Sequence, residues 1–257
     1  MEEIEKAFSE TSGLLFGRKL VGLKSYEGWL ERHVKGKIEG KKSKVSGNIV
    51  YVPSVDFYRS LGSNIVTLQE SLALGGKKID DSQLEKLTLS TAGKVLEGIK
   101  TTTPEIIYSR NIGTEESSNY GPTQFCYKIR FTWFSKFIAN TFWARDSERL
   151  FGCSNVAAGS GFCIKCYSST KLIRCFEVND SNNCADCYFC HNCEDLRDCM
   201  FCFNTKGKRY AIGNVEVGKE EYLRVKKLIQ AQIASELEKT KSLRYDIYNI
   251  GSKAASV

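Results

Sequence analysis

Proline, histidine and methionine are scarce in this chain of 257 residues, at three, two and two, and no apolar run approaches the length of a membrane span. No membrane association is therefore expected. The opening stretch, MEEIEKAFSETSGLL, carries acids where a secretory leader needs a basic region and an apolar core. The expectation is a cytoplasmic protein, or a virion protein if the chain is virus-encoded. The chain offers no phosphate-cradling Gly-Lys-Ser/Thr loop and no dinucleotide fingerprint. Gly159-Ser160-Gly161 misses the Gly-x-Ser-x-Gly spacing of a nucleophile elbow, because both glycines adjoin the serine. Adjacent carboxylates such as Glu115-Glu116 and Glu194-Asp195 fit charged loops better than acid–base pairs. Of the two histidines, His33 fits a structural place on a helix, and His191 fits either an exposed position or a zinc ligand. No catalytic residue is singled out, so an enzyme is not expected. A formal charge of +7 attracts polyanions only mildly.

Cysteine is what the chain has in excess. An odd count of eleven with no leader argues for thiols or metal thiolates rather than a disulfide framework. Nine of them, Cys163, Cys166, Cys175, Cys184, Cys187, Cys190, Cys193, Cys199 and Cys202, share one register of period three. Extending that register gives Ser154, Ala157, Ser160, Ser169, Leu172, Val178, Ser181, Leu196 and Thr205, all small or apolar. The neighbouring registers hold the charges, among them Lys165, Glu177, Asp186 and Arg197, which are expected to face water. The pattern predicts a solenoid in which buried thiols behave as small hydrophobes stacked coil on coil.

Zinc is the first rival. Pairs of Cys-x-x-Cys at suitable spacing make Cys184, Cys187, Cys190, Cys193, Cys199 and Cys202 its candidate ligands. Against it, no glycine follows the second cysteine of each pair to ease a sulfur-ligating turn, and zinc has no use for Cys175. A ferredoxin-type cluster needs its fourth cysteine after three residues and a proline behind it; here Cys193 follows after two, and the last proline is Pro122. The block Cys187-Tyr-Phe-Cys190-His-Asn-Cys193, with Phe203-Asn204-Thr-Lys206-Gly-Lys208-Arg209-Tyr210 and Glu220-Glu221-Tyr222, resembles a cassette of cysteine-rich proteins from archaea and candidate-phylum bacteria. The resemblance covers about residues 163–225. It implies a repeat-built, β-helical fold and carries no activity or metal-binding role with it.

Elsewhere, residues 1–24 are expected to form a short amphipathic segment (Ile4, Phe8) followed by an extended, glycine-punctuated arm through Leu14, Leu15, Leu20 and Leu23, and a helix is expected over about 26–34, capped by Ser25, with Trp29, Leu30 and His33 on its buried face. The lysine-rich stretch 35–44 reads as an exposed loop, and Val45 to Pro53 as a strand. Ser82 and Glu85 form a capping box opening a helix that runs through Ile99. Phe125, Tyr127, Ile129, Phe131 and Trp133 alternate as one face of a half-buried strand, an aromatic core sealing the start of the cysteine region. A long helix from about Lys219 to Lys241 carries the stripe Tyr222, Val225, Leu228, Ile229, Ile233 and Leu237.

Together these predict an α+β protein: an N-terminal α/β portion (1–144), a short parallel β-solenoid with a period-three cysteine column (145–216), and a C-terminal amphipathic helix and tail (217–257). The leading functional expectation is a non-enzymatic structural or interaction protein without a cofactor, a subunit of a larger assembly, cellular or viral, partnered by itself or another protein subunit. The alternative is a zinc-thiolate protein holding nucleic-acid phosphates with Lys35, Lys37, Lys41, Lys42, Lys44, Lys206, Lys208 and Arg209. A redox-active thiol protein is the third.

Overall fold

The structure, a computed structural model, describes the chain except residues 60, 61, 63, 158, 171–174, 179–184 and 253–257. Its centre is a parallel β-solenoid of about seven turns over residues 118–212. Tyr127 lies beside Ala139, and Ala139 beside Phe151, twelve residues on each time. Within the coils every third residue is left-handed, with φ between 49° and 56° at Phe125, Lys128, Phe131, Phe134, Phe137, Asn140, Trp143, Asp146 and Arg149. A left-handed residue turns the chain, so a twelve-residue coil closes as four sides of three residues. Each such residue that is not glycine costs about 1–2 kcal/mol, offset by stacking on the coils above and below.

The solenoid begins well before the boundary expected at 145. The signal was hidden by a one-residue shift: the coil from Phe151 to Ile164 has thirteen residues. Through the first part of that coil the inward column is Cys126, Ile129, Thr132, Ser135, Ile138, Thr141, Ala144, Ser147, Leu150, Cys153 and Val156, all buried. Within the same coil it shifts by one residue and resumes through Ser160, Cys163 and Cys166. It thus passes through 153 and 156 rather than the expected 154 and 157. Cys126 and Cys153, outside the register read from sequence, belong to it structurally. The strand expected to alternate from Phe125 to Trp133 has period three instead, with Ile129 pointing in and Phe131 at a corner. Of the aromatic residues expected to seal the core there, Tyr127 is buried and Phe137 and Phe142 pack against the core, while Phe134 and Trp143 are 54% and 41% exposed.

Thiols and hydroxyls in the column answer a backbone problem. Thr141 Oγ1 donates to the carbonyl of Ala139 at 2.9 Å and accepts the N–H of Cys153, one coil on, at 3.3 Å. Ser135 does the same with Trp133 and Ser147. Cys166 Sγ donates to Ile164, and its N–H reaches Cys153 Sγ at 3.5 Å. Sulfur repeats the donation two residues back at Cys126, Cys163, Cys190, Cys193, Cys199 and Cys202. The column therefore favours small side chains that donate weakly and accept softly. Thr141→Val, of the same shape, should cost about 1–3 kcal/mol, because the Cys153 N–H loses its acceptor. Urea unfolding with an unchanged m-value checks it, and Thr141→Ser should keep most of the stability.

On one side of the solenoid the outward residues form an apolar ladder, Tyr127, Ala139, Phe151, Ile164, Phe176, Tyr188, Met200 and Ile212. Two helices cover it. The amphipathic segment expected around Ile4 and Phe8 is a helix, Glu2–Phe16, that runs on into the expected arm; its Phe8 and Phe16 meet Phe151 and Phe176 with ring centroids 5.2 Å and 5.1 Å apart. The C-terminal helix, Lys219–Thr240, buries Tyr222, Ile233, Ala234 and Leu237, while Leu228 of its stripe stays exposed. Its Gln230 Nε2 donates to the Leu15 carbonyl and to Tyr188 Oη, tying both helices to the ladder. A 3-10 turn, Leu23–Tyr26, and a short helix, Glu27–Leu30, stand in place of the single helix expected from Ser25. Ser25 spends its hydroxyl on the Gly22 carbonyl rather than on a cap. At its far end the solenoid is closed by the short antiparallel strand Val215–Glu216.

Residues 36–107 form a separate compact unit. The expected lysine loop is a strand there, Ile38–Lys42, paired antiparallel with Ile49–Pro53, whose Val50 and Val52 are buried. The capping box lies two residues before the expected one, with Asp80 and Gln83 opening Asp81–Glu85. A second, Thr67 with Glu70, opens Leu68–Leu74. Hydroxyl donors Ser43 and Ser46, then the Thr67 amide, hold Glu70 down at about 2. The long helix expected through Ile99 breaks into short pieces, the last being Ala92–Val95.

Candidate functional site: the thiol column, a charged corner and an uncovered side

The ten described cysteines are free thiols and all are buried. Cys187, Cys190 and Cys193 occupy three successive sides of one coil, and Cys199 stacks directly on Cys187 in the next. Of the six candidate zinc ligands, Cys184 lies outside the described residues. Among the described residues no group of three or more His, Cys, Asp or Glu is arranged to hold a metal ion. Burial pushes the Cys126 thiol up to about 12, and that of Cys166 well above the usual range. Cys202 is the exception, pulled down by thiol hydrogen bonds from Cys190 and Cys199.

Lys165 and Glu177, expected to face water, are both fully buried and 2.9 Å apart. They sit at the same corner on consecutive coils, the corner along which the segment 27–34 and the residues after the C-terminal helix dock. Going up that corner, Lys128 pairs with Glu27, Asn140 Nδ2 donates to Glu31, and Gly152 lies against the Leu30 backbone. Lys165 lies under the Trp29 ring, 5.3 Å from its centroid. The Glu177 carboxylate accepts the Ile247 N–H at 2.5 Å. Burial raises Glu177 to about 7 despite the Lys165 charge, and burial likewise lowers Lys165. On the coil of Lys128, Arg130, fully buried, donates to the carbonyls of Lys35 and Lys128 and is lowered to about 10 by burial. His33 stands in a turn, its Nε2 3.0 Å from the Asp246 carboxylate. Sequence reasoning missed this cluster. Its signal was two opposite charges one coil apart, legible only once the period is known to be twelve rather than three.

The candidate phosphate-binding residues divide between the two compact units. Lys37, Lys41, Lys42 and Lys44 belong to the unit of residues 36–107; Lys35, Lys206, Lys208 and Arg209 belong to the solenoid unit. Lys206 and Arg209 are exposed on the last coil, and Lys44 Nζ donates to Asn64 at 2.7 Å. His191, between two inward cysteines, is partly buried and pairs with Phe203 through a β-bridge.

On a side of the solenoid that the helices leave open, a groove of about 660 Å³ runs across four successive coils. Gln124, Lys136 and Glu148 stack along its floor, with Phe134 and Asp146 on one corner and Phe162 on the other. Behind Phe162 the second corner is a stack: Phe125 lies on Phe137 at 5.6 Å and 10°, and the Arg149 guanidinium sits between Phe137 and Phe162. No protein-family model matches the chain, and neither a curated protein nor a solved structure shows detectable similarity to it.

Proposed function

We propose that this protein is a non-catalytic structural or interaction protein, a subunit of a larger assembly in which the solenoid serves as a rigid platform. One observation carries the reading: the most reactive groups among the described residues, ten thiols, are all buried in the solenoid, and those of its inward column serve the backbone there. A thiol held protonated by burial is a poor nucleophile. What remains for function is the outer surface, regular from coil to coil. Native mass spectrometry of protein purified without oxidant or chelator tests the proposal. The expected spectrum is the bare, fully reduced chain in a defined oligomer or bound to a second subunit.

A zinc-thiolate reading has one observation in its favour, the placing of Cys187 directly beside Cys199 on consecutive coils, with Cys190, Cys193 and Cys202 buried on the same two coils. About one or two zinc masses per chain in the same spectrum would replace the platform reading with it. Salt-sensitive binding to a nucleic-acid duplex would then be the next expectation.

A further inference from the structure

We propose that the open groove across Gln124, Lys136 and Glu148 binds a neutral, linear oligosaccharide lying along the solenoid axis. This goes beyond the assembly role and holds whether or not the protein oligomerises.

The first support is the cost of its walls. Phe134 takes a left-handed φ of 51° and leaves 54% of its surface in water. A bulky residue in that region is strained, and asparagine or glycine would turn the corner more cheaply. Half exposed, Phe134 recovers little of this by burial within its own chain; its only described ring partner is the Arg145 guanidinium at 5.7 Å. An exposed aromatic face set beside polar groups suits a ligand that is apolar on one face and polar at its edge. A pyranose ring is built that way, with axial C–H bonds on its face and hydroxyls around its rim.

Charge decides among polymers. Lys136 pairs with Glu148 at 2.8 Å, Arg145 with Asp146 at 3.4 Å, and Arg149 with Glu10 at 3.2 Å. The groove therefore carries both signs in neutralised pairs. A polyanion would find no positive field to replace its counterions. Neutral hydroxyls can donate to the Asp146 and Glu148 carboxylates and accept from Lys136 and Gln124 without disturbing the balance.

Repetition is the third support. Corresponding positions recur at the spacing of parallel strands, about 4.8 Å, so four coils offer a track of about 14 Å. That step is comparable to the length of one sugar residue, so successive rings would meet successive coils. The volume falls in the range of small-molecule sites.

The test is titration calorimetry of the full chain with neutral tetra- to hexasaccharides of glucose, mannose, xylose and N-acetylglucosamine, set beside a uronate oligomer, an oligonucleotide and an extended neutral peptide. Saturable binding of at least one neutral sugar is expected. Phe134→Ala should weaken it about tenfold or more, Phe134→Trp should restore it, and Glu148→Gln should weaken it without creating affinity for the uronate. Unchanged thermal midpoints in the variants show that the fold is intact. Binding to none of the sugars, preference for the uronate, oligonucleotide or peptide, or sugar affinity indifferent to Phe134→Ala would each overturn the proposal. The oligomer seen by native mass spectrometry reports separately on the assembly reading.

Discussion

Replacing Lys165 with methionine is expected to destabilise the protein by about 3–5 kcal/mol, because the Glu177 carboxylate, fully buried 2.9 Å away, would lose its counter-charge. The double variant Lys165→Met/Glu177→Leu should recover most of the loss, since replacing both members of a buried pair by apolar groups is often neutral or better. A double-mutant cycle measured by urea unfolding separates the pair from its surroundings. The pair also sets a pH dependence. Burial raises the Glu177 carboxyl from 4.5 to about 7, an effect that Lys165 and the Ile247 N–H oppose and Asp246 reinforces. Between those values the folded chain keeps a proton that the unfolded chain has released. Stability should therefore fall as pH rises from 4.5 to about 7, by about 3 kcal/mol from this group, and its contribution should be flat above that. Glu177→Gln should remove that part of the slope. A Glu177→Gln profile parallel to the wild type would show that the carboxylate is not the titrating group.

Gly152→Ala is expected to cost about 2–5 kcal/mol and to lower the thermal midpoint by on the order of 10 °C. Gly152 has φ of 68°, and a Cβ there would meet the Leu30 carbonyl oxygen at 2.6 Å and the Leu30 Cα at 3.0 Å. Both obstacles are backbone, so neither can rotate away; the segment carrying Trp29 and Leu30 would have to lift from the corner. Gly207→Ala is the control. It lies in the same left-handed region, φ 63°, with nothing within 4 Å of the added methyl, so it should show the conformational strain alone, about 1–2 kcal/mol. Equal midpoints for the two variants would mean that the Leu30 segment is not firmly docked.

The period-three column and the C-terminal helix were legible because each is a long, regular pattern in a single physical variable, inward burial in one case and an apolar stripe in the other. The early coils were not. Their column is filled by Ile129, Thr132, Ser135 and Thr141, which carry no common label, and the corner residues Phe125, Phe131 and Trp143 imitate a strand's alternation or a core's bulk. The shift at the thirteen-residue coil then set Cys153 out of phase with Cys163. The extent of the N-terminal helix was hidden by Gly13 and Gly17, which read as punctuation although Gly13 lies within the helix and only Gly17 ends it. Of the sites, the eight described thiols of the sequence register were legible as a set, and they are buried as expected. The Lys165–Glu177 pair was not, since a charge in a neighbouring register is solvated unless another segment covers that corner, and the cover comes from Trp29 and Ile247, both distant in sequence. The open groove gave no sign either: its floor residues stand one coil apart and are ordinary surface types.

The thirteenth residue of the Phe151–Ile164 coil also says which changes of length the architecture tolerates. An extra residue at a corner alters the phase of the sequence while every later side stays over its predecessor. A gain or loss of twelve lengthens or shortens the stack by one storey. A gain or loss of three, the period that first meets the eye, would leave the inward column intact yet rotate everything beyond it by a quarter turn, carrying Tyr188 and Met200 out from under the two helices. Triplet indels should therefore be the ones this chain cannot absorb, although they preserve every inward-facing residue.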